Sequence, residues 1–422
     1  MEDKKINIKN GITLHEINTD KFKINSIAVF LTTPINRENV TKNALIPAIL
    51  KRGSKSLISQ DEISKELEGL YGASFNCGVD KNGDNQVLKF YMETVNDNFL
   101  PQTGEKVLKV ALEKLFEIIF NPYLENDTFK EEYVNQEKNN LKQRIEAKID
   151  NKANYALDRC IEEMYKDEPF GLYKFGYVED LEEIDSKSIY DYYIELINSC
   201  KIDIFVSGML GKEVKNIIED NENISKLQGR TAEYNALEAK RKQTTKEKIV
   251  VDKMEVTQGK LNLGLDVDLE NEKEKYSAAI YNGILGGSAT SKLFQNVREK
   301  AHLCYVAGST YLKNKGNIFV KCGIEIENYE KALELIKVQI EDIENGDFTE
   351  EDIENAKKSI IAQLKTIPDE QDTQITYLFG QELSLNTVSI EEYMEKVKAV
   401  TKDDIISVAK KVTINTVYFL RN

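Results

Sequence analysis

The chain has 422 residues, of which 41% are hydrophobic and 31% are charged, so it is long enough and apolar enough to form two or more globular domains. Its net charge of −15 argues against nucleic-acid binding, which needs a basic surface, and favours either a basic partner or simply a soluble surface. Because no stretch has the ~20 apolar residues of a membrane span, and the charged start MEDKKINIKNG has no signal-peptide core, we expect a cytoplasmic protein without a membrane anchor.

Strand-like and helix-like stretches follow one another in the same order twice. In the first half the pattern predicts strand, helix, strand, helix and strand at 24–34, 43–52, 87–95, 102–120 and 201–210. In the second half it predicts the same series at 259–269, 274–286, 317–326, 329–343 and 415–422. Because some strands are in hairpin order, we predict an α+β fold in which each half is a mixed or antiparallel sheet covered by helices.

One pair of stretches supports a duplication directly. Residues 126–145 (NDTFKEEYVNQEKNNLKQRI) align without a gap with residues 345–364 (NGDFTEEDIENAKKSIIAQL). Both contain F-x-E-E followed by apolar residues at spacings of three and four, which predicts a helix start in each half. We therefore predict two homologous domains at 1–219 and 251–422, joined by a polar linker at 220–250.

The cysteines and histidines give no independent catalytic signal. The five cysteines contain no C-x-x-C pair, and we expect them to be reduced and mostly buried: Cys77, Cys160, Cys200, Cys304 and Cys322. The two histidines, His15 and His302, lie in no cluster with metal-ligand spacing, so we expect both to be partly exposed polar residues. His302 and Cys304 would face the same way on a strand, which leaves a cysteine–histidine pair as a minor alternative.

Two local segments resemble those of a known family. NALIPAILKRGS (43–54) is similar to a helix that carries H-x-x-E-H before K-G-T, and GGSATSKLFQNVREKAHLCYVAGS (286–309) is similar to G-x-S-S-R-L-F-x-x-V-R-E-K-x-G-L-x-Y. With the duplication, they make the chain resemble the M16 metallopeptidases, which include insulinase, pitrilysin and the mitochondrial processing peptidases. Lysine- and asparagine-rich usage suggests a bacterial source.

The resemblance implies that the zinc site has been lost. In the family, the two histidines of H-x-x-E-H bind zinc from one helix face, the glutamate activates water, and a glutamate from a later helix is the third protein ligand. Ala44 and Ala48 stand at the histidine positions, Pro47 at the base position, and Arg144 at the third-ligand position, seven residues after Glu137. We therefore expect no metal in this chain.

The resemblance also implies that a substrate-holding pair is retained. In the family an arginine and a tyrosine seven residues apart hold the peptide backbone and stabilise developing negative charge, and Arg298 and Tyr305 have that spacing. Both side chains can donate hydrogen bonds to a carbonyl oxygen. The alternative is that Arg298 pairs with an acidic neighbour and Tyr305 belongs to the core.

Some bacterial members of the family work as pairs, in which one chain carries H-x-x-E-H and the other keeps only the Arg/Tyr pair. This resemblance implies a non-catalytic subunit that binds an unstructured peptide and forms a heterodimer with a zinc-bearing M16 paralogue, zinc being expected only in that partner. Among Gram-positive relatives, this metal-free branch is associated by name with modification of elongation factor P. The alternatives are a self-associating peptide-binding scaffold without proteolysis, and a zinc peptidase with unrecognised ligands.

Overall fold

The computed structural model describes residues 2–101, 106–230, 247–385 and 387–422. The elements of the first half are, in chain order, β1 Glu2–Lys9, β2 Ile12–Asn18, β3 Ile24–Pro34, α1 Val40–Leu50, α2 Gln60–Gly69, β4 Ser74–Asn82, β5 Asn85–Val95, α3 Val107–Phe120, β6 Leu124–Glu125, β7 Thr128–Phe129, α4 Glu131–Glu146, α5 Lys152–Met164, α6 Ser186–Ser199, β8 Lys201–Gly208, α7 Val214–Glu219 and α8 Glu222–Ser225.

The second half repeats much of this series. Its elements are β9 Lys248–Lys253, β10 Gly259–Val267, α9 Glu272–Leu285, a π-helical segment Leu293–Lys300, β11 Cys304–Leu312, β12 Asn317–Ile324, α10 Tyr329–Glu344, α11 Glu350–Thr366, α12 Gln371–Ser384, α13 Ile390–Lys398, α14 Lys402–Ala409 and β13 Val412–Arg421.

The strand order confirms the duplicated α+β fold. The first sheet runs β1-β2-β8-β3-β5-β4, and the second runs β9-β13-β10-β12-β11 when it is read in the same direction. In each sheet one pair is parallel, β2 with β8 and β9 with β13, and the other neighbours are antiparallel. The two sheets therefore share one topology, and β1 is an additional strand at the edge of the first.

The aligned F-x-E-E stretches begin equivalent helices, as the sequence predicts. Helix α4 begins at Glu131 and α11 at Glu350, so both have acidic residues in the first turn, where the helix dipole favours them. Thr349 and Asp352 form a capping box at the start of α11. The predicted strand 24–34 coincides with β3, and the predicted helix 102–120 begins at Val107, although residues 102–105 lie outside the described part.

The compact units do not follow the sequence halves. One unit consists of 1–146, 172–236 and 371–383, and the other of 147–171, 237–370 and 384–422. Helix α5 thus belongs to the unit of the second sheet, and α12 to the unit of the first. The two helices start at residues 152 and 371, with the same separation as the aligned helices α4 and α11. The exchange is therefore reciprocal.

Helix α12 covers the second face of the first sheet. Every apolar residue of IAVFL in β3 is buried: Ile27, Val29 and Leu31 face the helices of the main core, while Ala28 and Phe30 face α12. The ring of Phe379 packs 4.4 Å from that of Phe30, centroid to centroid. A strand that is buried on both faces reads as a continuous apolar run, and this explains the sequence of β3.

A buried ionic group fixes the end of α12. Glu382 accepts hydrogen bonds from Lys5 on β1, at 2.8 Å, and from Lys201 on β8, at 2.9 Å. Burial by itself would raise the pKa of the Glu382 carboxyl, but the two ammonium groups hold it below its usual value. The helix is thus held by charge as well as by apolar contact.

Helix α5 covers the corresponding face of the second sheet. Its side chains Cys160 and Met164 pack in a cluster with Phe319 and Tyr418. A Cβ atom at Gly264 of β10 would lie 2.5 Å from the sulfur of Met164, so the absence of a side chain there permits the close approach. Arg159 of α5 also donates to Asp252 of β9 at 3.1 Å.

The ends of the predicted linker 220–250 overlap folded structure. Ile224 and Leu227 are buried in the first core, and residues 248–250 belong to β9, while residues 231–246 lie outside the described part. Four of the five cysteines are buried and Cys77 is half-buried, which confirms the burial expected for most of them. Among the described residues, no helix is both long and apolar enough to cross a bilayer.

The docking of α12 can be tested through its central aromatic ring. We expect Phe379→Ala to lower the free energy of unfolding by about 3–5 kcal/mol, because the ring loses contact with Phe30 and with Phe205 and leaves a cavity. Phe379→Leu keeps most of the apolar volume and should cost less than about 1.5 kcal/mol. Guanidinium unfolding of both variants measures the difference, and an unchanged stability of Phe379→Ala would show that this face of the sheet does not depend on α12.

Candidate functional site

The segment similar to the zinc helix forms α1, with Pro47 inside it. Proline removes one backbone donor, yet the helix continues to Leu50, and the carbonyl of Pro47 accepts from the backbone N–H of Lys51 at 3.1 Å. Ala44 and Ala48 are one helical turn apart on one face, and both are half-buried. The two positions therefore share a face, as the resemblance implies, but only methyl groups lie there.

Buried polar contacts of Asn43, the residue before Ala44, fix the position of α1 against the sheet. The amide of Asn43 donates to Gln86 on β5 at 2.9 Å, and it accepts from the Tyr192 hydroxyl of α6 at 2.8 Å. Gln86 in turn donates to the Val40 carbonyl at 3.0 Å. The helix is thus held against the sheet by a satisfied polar network, which is typical of a structural role.

Helix α4 packs against α1 and supplies the other two positions. Glu137 is buried, and its carboxylate is already engaged: Arg52 donates to one oxygen at 2.5 Å and Asn140 to the other at 3.1 Å. Arg144 is exposed and places its guanidinium 5.0 Å from the centroid of the Phe175 ring. Arg144 has no electron pair to offer a cation, and the negative charge of Glu137 is already paired with Arg52.

Cys77 on β4 lies beside the same group of residues. Its thiol donates to the Pro47 carbonyl at 3.1 Å. Burial raises the pKa of Cys77 to about 11, while the positive charges of Lys51 and Arg144 act in the opposite direction. The thiol therefore stays protonated at neutral pH and is a poor metal ligand or nucleophile.

The donor set at α1 and α4 does not fit zinc. Zinc sites in proteins use imidazole, thiolate or carboxylate ligands, whereas these positions carry two methyl groups, a pyrrolidine ring and a guanidinium. Among the described residues, no group of three or more histidine, cysteine, aspartate or glutamate side chains is arranged to hold a metal ion. No hydrolytic step can therefore be assigned to residues of this helix pair.

Arg298 lies in the π-helical segment Leu293–Lys300, which packs against β11. π-helical turns are rare and are frequent at functional sites. The guanidinium stacks on the Phe294 ring, 4.4 Å from its centroid, and its Nε lies 3.6 Å from a carboxylate oxygen of Glu299. Its side chain is 39% exposed, and at 3.6 Å the Glu299 contact is too long to be a good hydrogen bond.

Tyr305 is not a core residue. It is 69% exposed and occupies a β-bulge, because the pairing of β11 with β12 shifts register between Cys304 and Val306. Bulges turn a side chain out of the regular alternation of a strand. Strand β11 is also the end strand of its sheet, with no further strand on its outer side among the described residues. The phenol is thus presented to solvent at an open sheet edge.

The histidines do not behave as one class. His302 is exposed, has a φ of +53° and lies before the first residue of β11, so it does not share a strand with Cys304. Cys304 is buried, and its pKa is lowered by a hydrogen bond from Cys322 and by the charge of Arg298. The expectation that His15 is partly exposed is wrong: it is buried and stacks on Phe205 at 4.2 Å. Its Nε2 lies 3.5 Å from a carboxylate oxygen of Asp203 on β8.

Sequence reasoning missed the small residues that shape the surroundings of β11. A Cβ atom on Gly286 would lie 2.5 Å from the backbone nitrogen of Ser309, and one on Gly283 would lie 2.8 Å from the Cβ of Ala356. Helix α9 therefore approaches both β11 and α11 closely. The pair Gly286–Gly287 and the small-residue loop after it were the signal available in the sequence.

Comparison with known proteins gives consistent results. Residues 183–360 match the family model described as the peptidase M16 inactive domain. The chain is 35% identical over 413 residues to the probable inactive metalloprotease YmfF of Bacillus subtilis, which covers 97% of this chain and 96% of that protein. It is 23% identical over 310 residues to the uncharacterized zinc protease YmxG of the same bacterium, covering 71% of this chain and 72% of that protein. The crystal structure of a conserved protein from Enterococcus faecalis has a TM-score of 0.91 and 29% identity, covering 100% of this chain and 99% of that one.

The state of Cys77 can be measured by alkylation. At pH 8 we expect iodoacetamide to label Cys77 in the folded protein roughly a hundredfold more slowly than a free cysteine, because a pKa of about 11 leaves little thiolate. Mass spectrometry of digested samples gives the rate, and the urea-unfolded protein is the control. Labelling at the rate of free cysteine would show that the thiol is neither buried nor protonated as described.

The metal content can be measured directly. Elemental analysis after gel filtration should find far less than one zinc per chain, because Ala44, Pro47 and Ala48 provide no ligand. A protein with intact H-x-x-E-H, purified in the same way, is the positive control. Stoichiometric zinc in this chain would mean that ligands elsewhere had been overlooked.

Proposed function

The chain belongs to the M16 peptidase family, among its inactive peptidase-like members, and from this membership we propose that it is a non-catalytic subunit that binds an unstructured peptide and completes the site of a zinc-bearing M16 paralogue. The partner would supply the metal and the hydrolytic chemistry. This chain would supply Arg298 and Tyr305 as donors to the peptide backbone.

The exposure of Tyr305 is the observation that carries this proposal. A buried tyrosine would fit a purely structural segment, but this phenol is 69% exposed at a bulge, and Arg298 lies on the segment packed against the same strand. A phenol and a guanidinium are both donors that can be aimed at a carbonyl oxygen as negative charge develops on it.

The edge of β11 supports peptide binding as well. An open strand edge offers unpaired backbone groups to an extended peptide, which can add as a further strand. Pairing of this kind depends on the backbone rather than on side chains, so it suits a subunit that accepts unfolded segments of varied sequence. Tyr305 and Arg298 lie at the beginning of this edge, whereas further along it the backbone N–H of Ser309 already donates to the Gly286 carbonyl at 2.9 Å.

The B. subtilis relatives support a division of labour. One is named a probable inactive metalloprotease and the other a zinc protease, and both resemble this chain. The persistence of a chain that lacks metal ligands is most simply explained if a relative that has those ligands works beside it. A second candidate function, a peptide-binding scaffold that associates only with itself, also uses the open β11 edge, and co-purification with an H-x-x-E-H protein distinguishes the two.

The proposal is tested with the reconstituted pair. We expect Arg298→Ala and Tyr305→Phe each to lower peptide turnover by about 10²–10³, since each removes one donor to a developing oxyanion. Peptide affinity should change less than turnover, because these contacts strengthen in the transition state. Lys300→Ala is the matched control: it removes an exposed positive charge two residues after Arg298 and should leave turnover within a factor of two or so.

Melting temperatures must accompany these rates. A structural role would give the opposite pattern, with a lower melting temperature and unchanged turnover per folded molecule. Wild-type turnover in both variants would refute the proposed role of the pair. A chain that neither binds peptide nor forms a complex with any zinc-bearing paralogue would refute the proposed function as a whole.

A further inference from the structure

The second unit contains a cavity of about 510 Å³ that neither the family resemblance nor the Arg/Tyr pair explains. It lies between α9, β11 and α11, with Tyr393 of α13 at its margin. Its volume is within the range of side-chain and small-ligand pockets. Residues Ser309–Tyr311 of β11 line it, so it borders the same strand that carries Tyr305.

The cavity corresponds in the duplication to the place of the lost zinc site. The three elements around it, α9, β11 and α11, are the counterparts of α1, β4 and α4 in the first unit. In the ungapped alignment of the two halves, Ala356 stands where the first half has Glu137, and Gln363 stands where it has Arg144. In the first unit this place is closed by the Glu137–Arg52 ion pair and by Cys77 against Pro47, whereas in the second unit it is open.

Small residues line the end of the cavity at which α9 and α11 approach each other most closely. Gly283 and Gly287 of the α9 end form one wall, and a Cβ atom on Gly287 would lie 2.9 Å from the Cα of Gly283. Ala356 forms the facing wall on α11. A Cβ atom on Gly283 would lie 2.8 Å from the Cβ of Ala356, so α9 and α11 touch at these residues and close this end of the cavity.

The lining combines apolar side chains, among them Ile360, Leu364 and Ile367, with uncharged polar groups, and none of the described residues that line it is charged. The hydroxyl of Ser309 donates to the amide oxygen of Asn282 at 2.7 Å, which leaves the NH₂ group of Asn282 as a donor to the cavity. Ser359 and Gln363 add a hydroxyl and an amide from α11. Charged residues make up 31% of the chain, yet none of the described ones lines this cavity.

We infer that this cavity is a specificity pocket for an uncharged, hydrogen-bonding side chain of an extended peptide, such as that of glutamine, asparagine or tyrosine. The inference rests on the proposed peptide binding along β11. Amide and hydroxyl groups of the lining can satisfy an uncharged polar side chain, whereas a carboxylate or ammonium would lose its hydration without a counter-charge. The ammonium group of Lys313 lies 4.8 Å from the centroid of the Tyr393 ring, but Lys313 does not line the cavity.

The position of the pocket along the peptide follows from strand geometry. Ser309 is four residues from Tyr305 on β11, and a strand rises about 3.3 Å per residue, so the two lie roughly 13 Å apart. The backbone N–H of Ser309 already donates to the Gly286 carbonyl at 2.9 Å, so a peptide that pairs with β11 beside Tyr305 leaves the strand before Ser309. The side chain that enters the cavity is therefore about four residues from the one beside Tyr305. Selectivity should be confined to that one position.

The test uses the full chain, alone and with a zinc-bearing paralogue, and fluorescent ten-residue peptide pools in which one position at a time is fixed as Gln, Glu or Lys. For the wild type we expect one position at which Gln binds about tenfold or more tightly than Glu or Lys. Gln363→Glu places a carboxylate in the wall without changing its shape, so it should convert the preference at that position to Lys. Asn355→Asp, the same chemical change on α11 outside the cavity, should leave all preferences as in the wild type.

A second variant tests the volume rather than the charge. Ser359→Trp should fill the cavity and abolish the difference between Gln, Glu and Lys, while general peptide affinity persists through the strand edge. If peptides bind but Gln363→Glu and Ser359→Trp both keep the wild-type preferences, the pocket inference is overturned and the proposed function stands. If no pool binds the chain in either condition, both are overturned.

Discussion

Each sheet of this protein has two apolar faces, and the chain covers the second face of each with a helix from the opposite half of the sequence. Helix α12 packs on Phe30 and Phe205 of the first sheet, and α5 packs on Phe319 and Tyr418 of the second. Neither half of the sequence therefore contains all the helices that cover its own sheet. The exchanged helices cover one face of each sheet. The opposite face and the end strands β4 and β11 are free to differ between the two units, and the two halves have diverged there.

The divergence is chemical rather than topological. Around α1, β4 and α4, the first unit has methyl groups, an internal proline, a protonated thiol and the Arg52–Glu137 ion pair, and these leave no ligand set for a metal. Around α9, β11 and α11, the second unit has glycines, a cavity of mixed apolar and uncharged polar lining, and an exposed tyrosine at a strand bulge. At these positions the first unit has structural contacts, whereas the second unit presents the exposed phenol to which we assign the proposed peptide contact.

Local patterns were sufficient to predict most of the fold. The continuous apolar run of β3, the F-x-E-E helix starts and the ungapped repeat gave the strands, the helices and the duplication, because each is encoded over a few residues. The exchange of α5 and α12 was not predicted, since hydrophobic periodicity says which face of a helix is buried but not which sheet buries it. The burial of His15 depends on the same long-range packing.

At the site, the spacing of Arg298 and Tyr305 was visible in the sequence, but the exposure of the tyrosine was not. It depends on a one-residue register shift against β12, which leaves no clear mark in the residues themselves. The cavity depends on three elements that are far apart in the chain. Of the residues that line the cavity, only the glycines were noticeable in the sequence, and glycine occurs in too many structural contexts to predict a cavity.

The central claim is that this chain completes the site of a zinc-bearing relative. It is tested most directly by titrating the purified chain into a fixed amount of that paralogue and measuring cleavage of an unstructured peptide. We expect turnover to rise with added chain and to reach a plateau at one chain per partner, with no cleavage by this chain alone. Turnover that stays constant over the whole titration would contradict it.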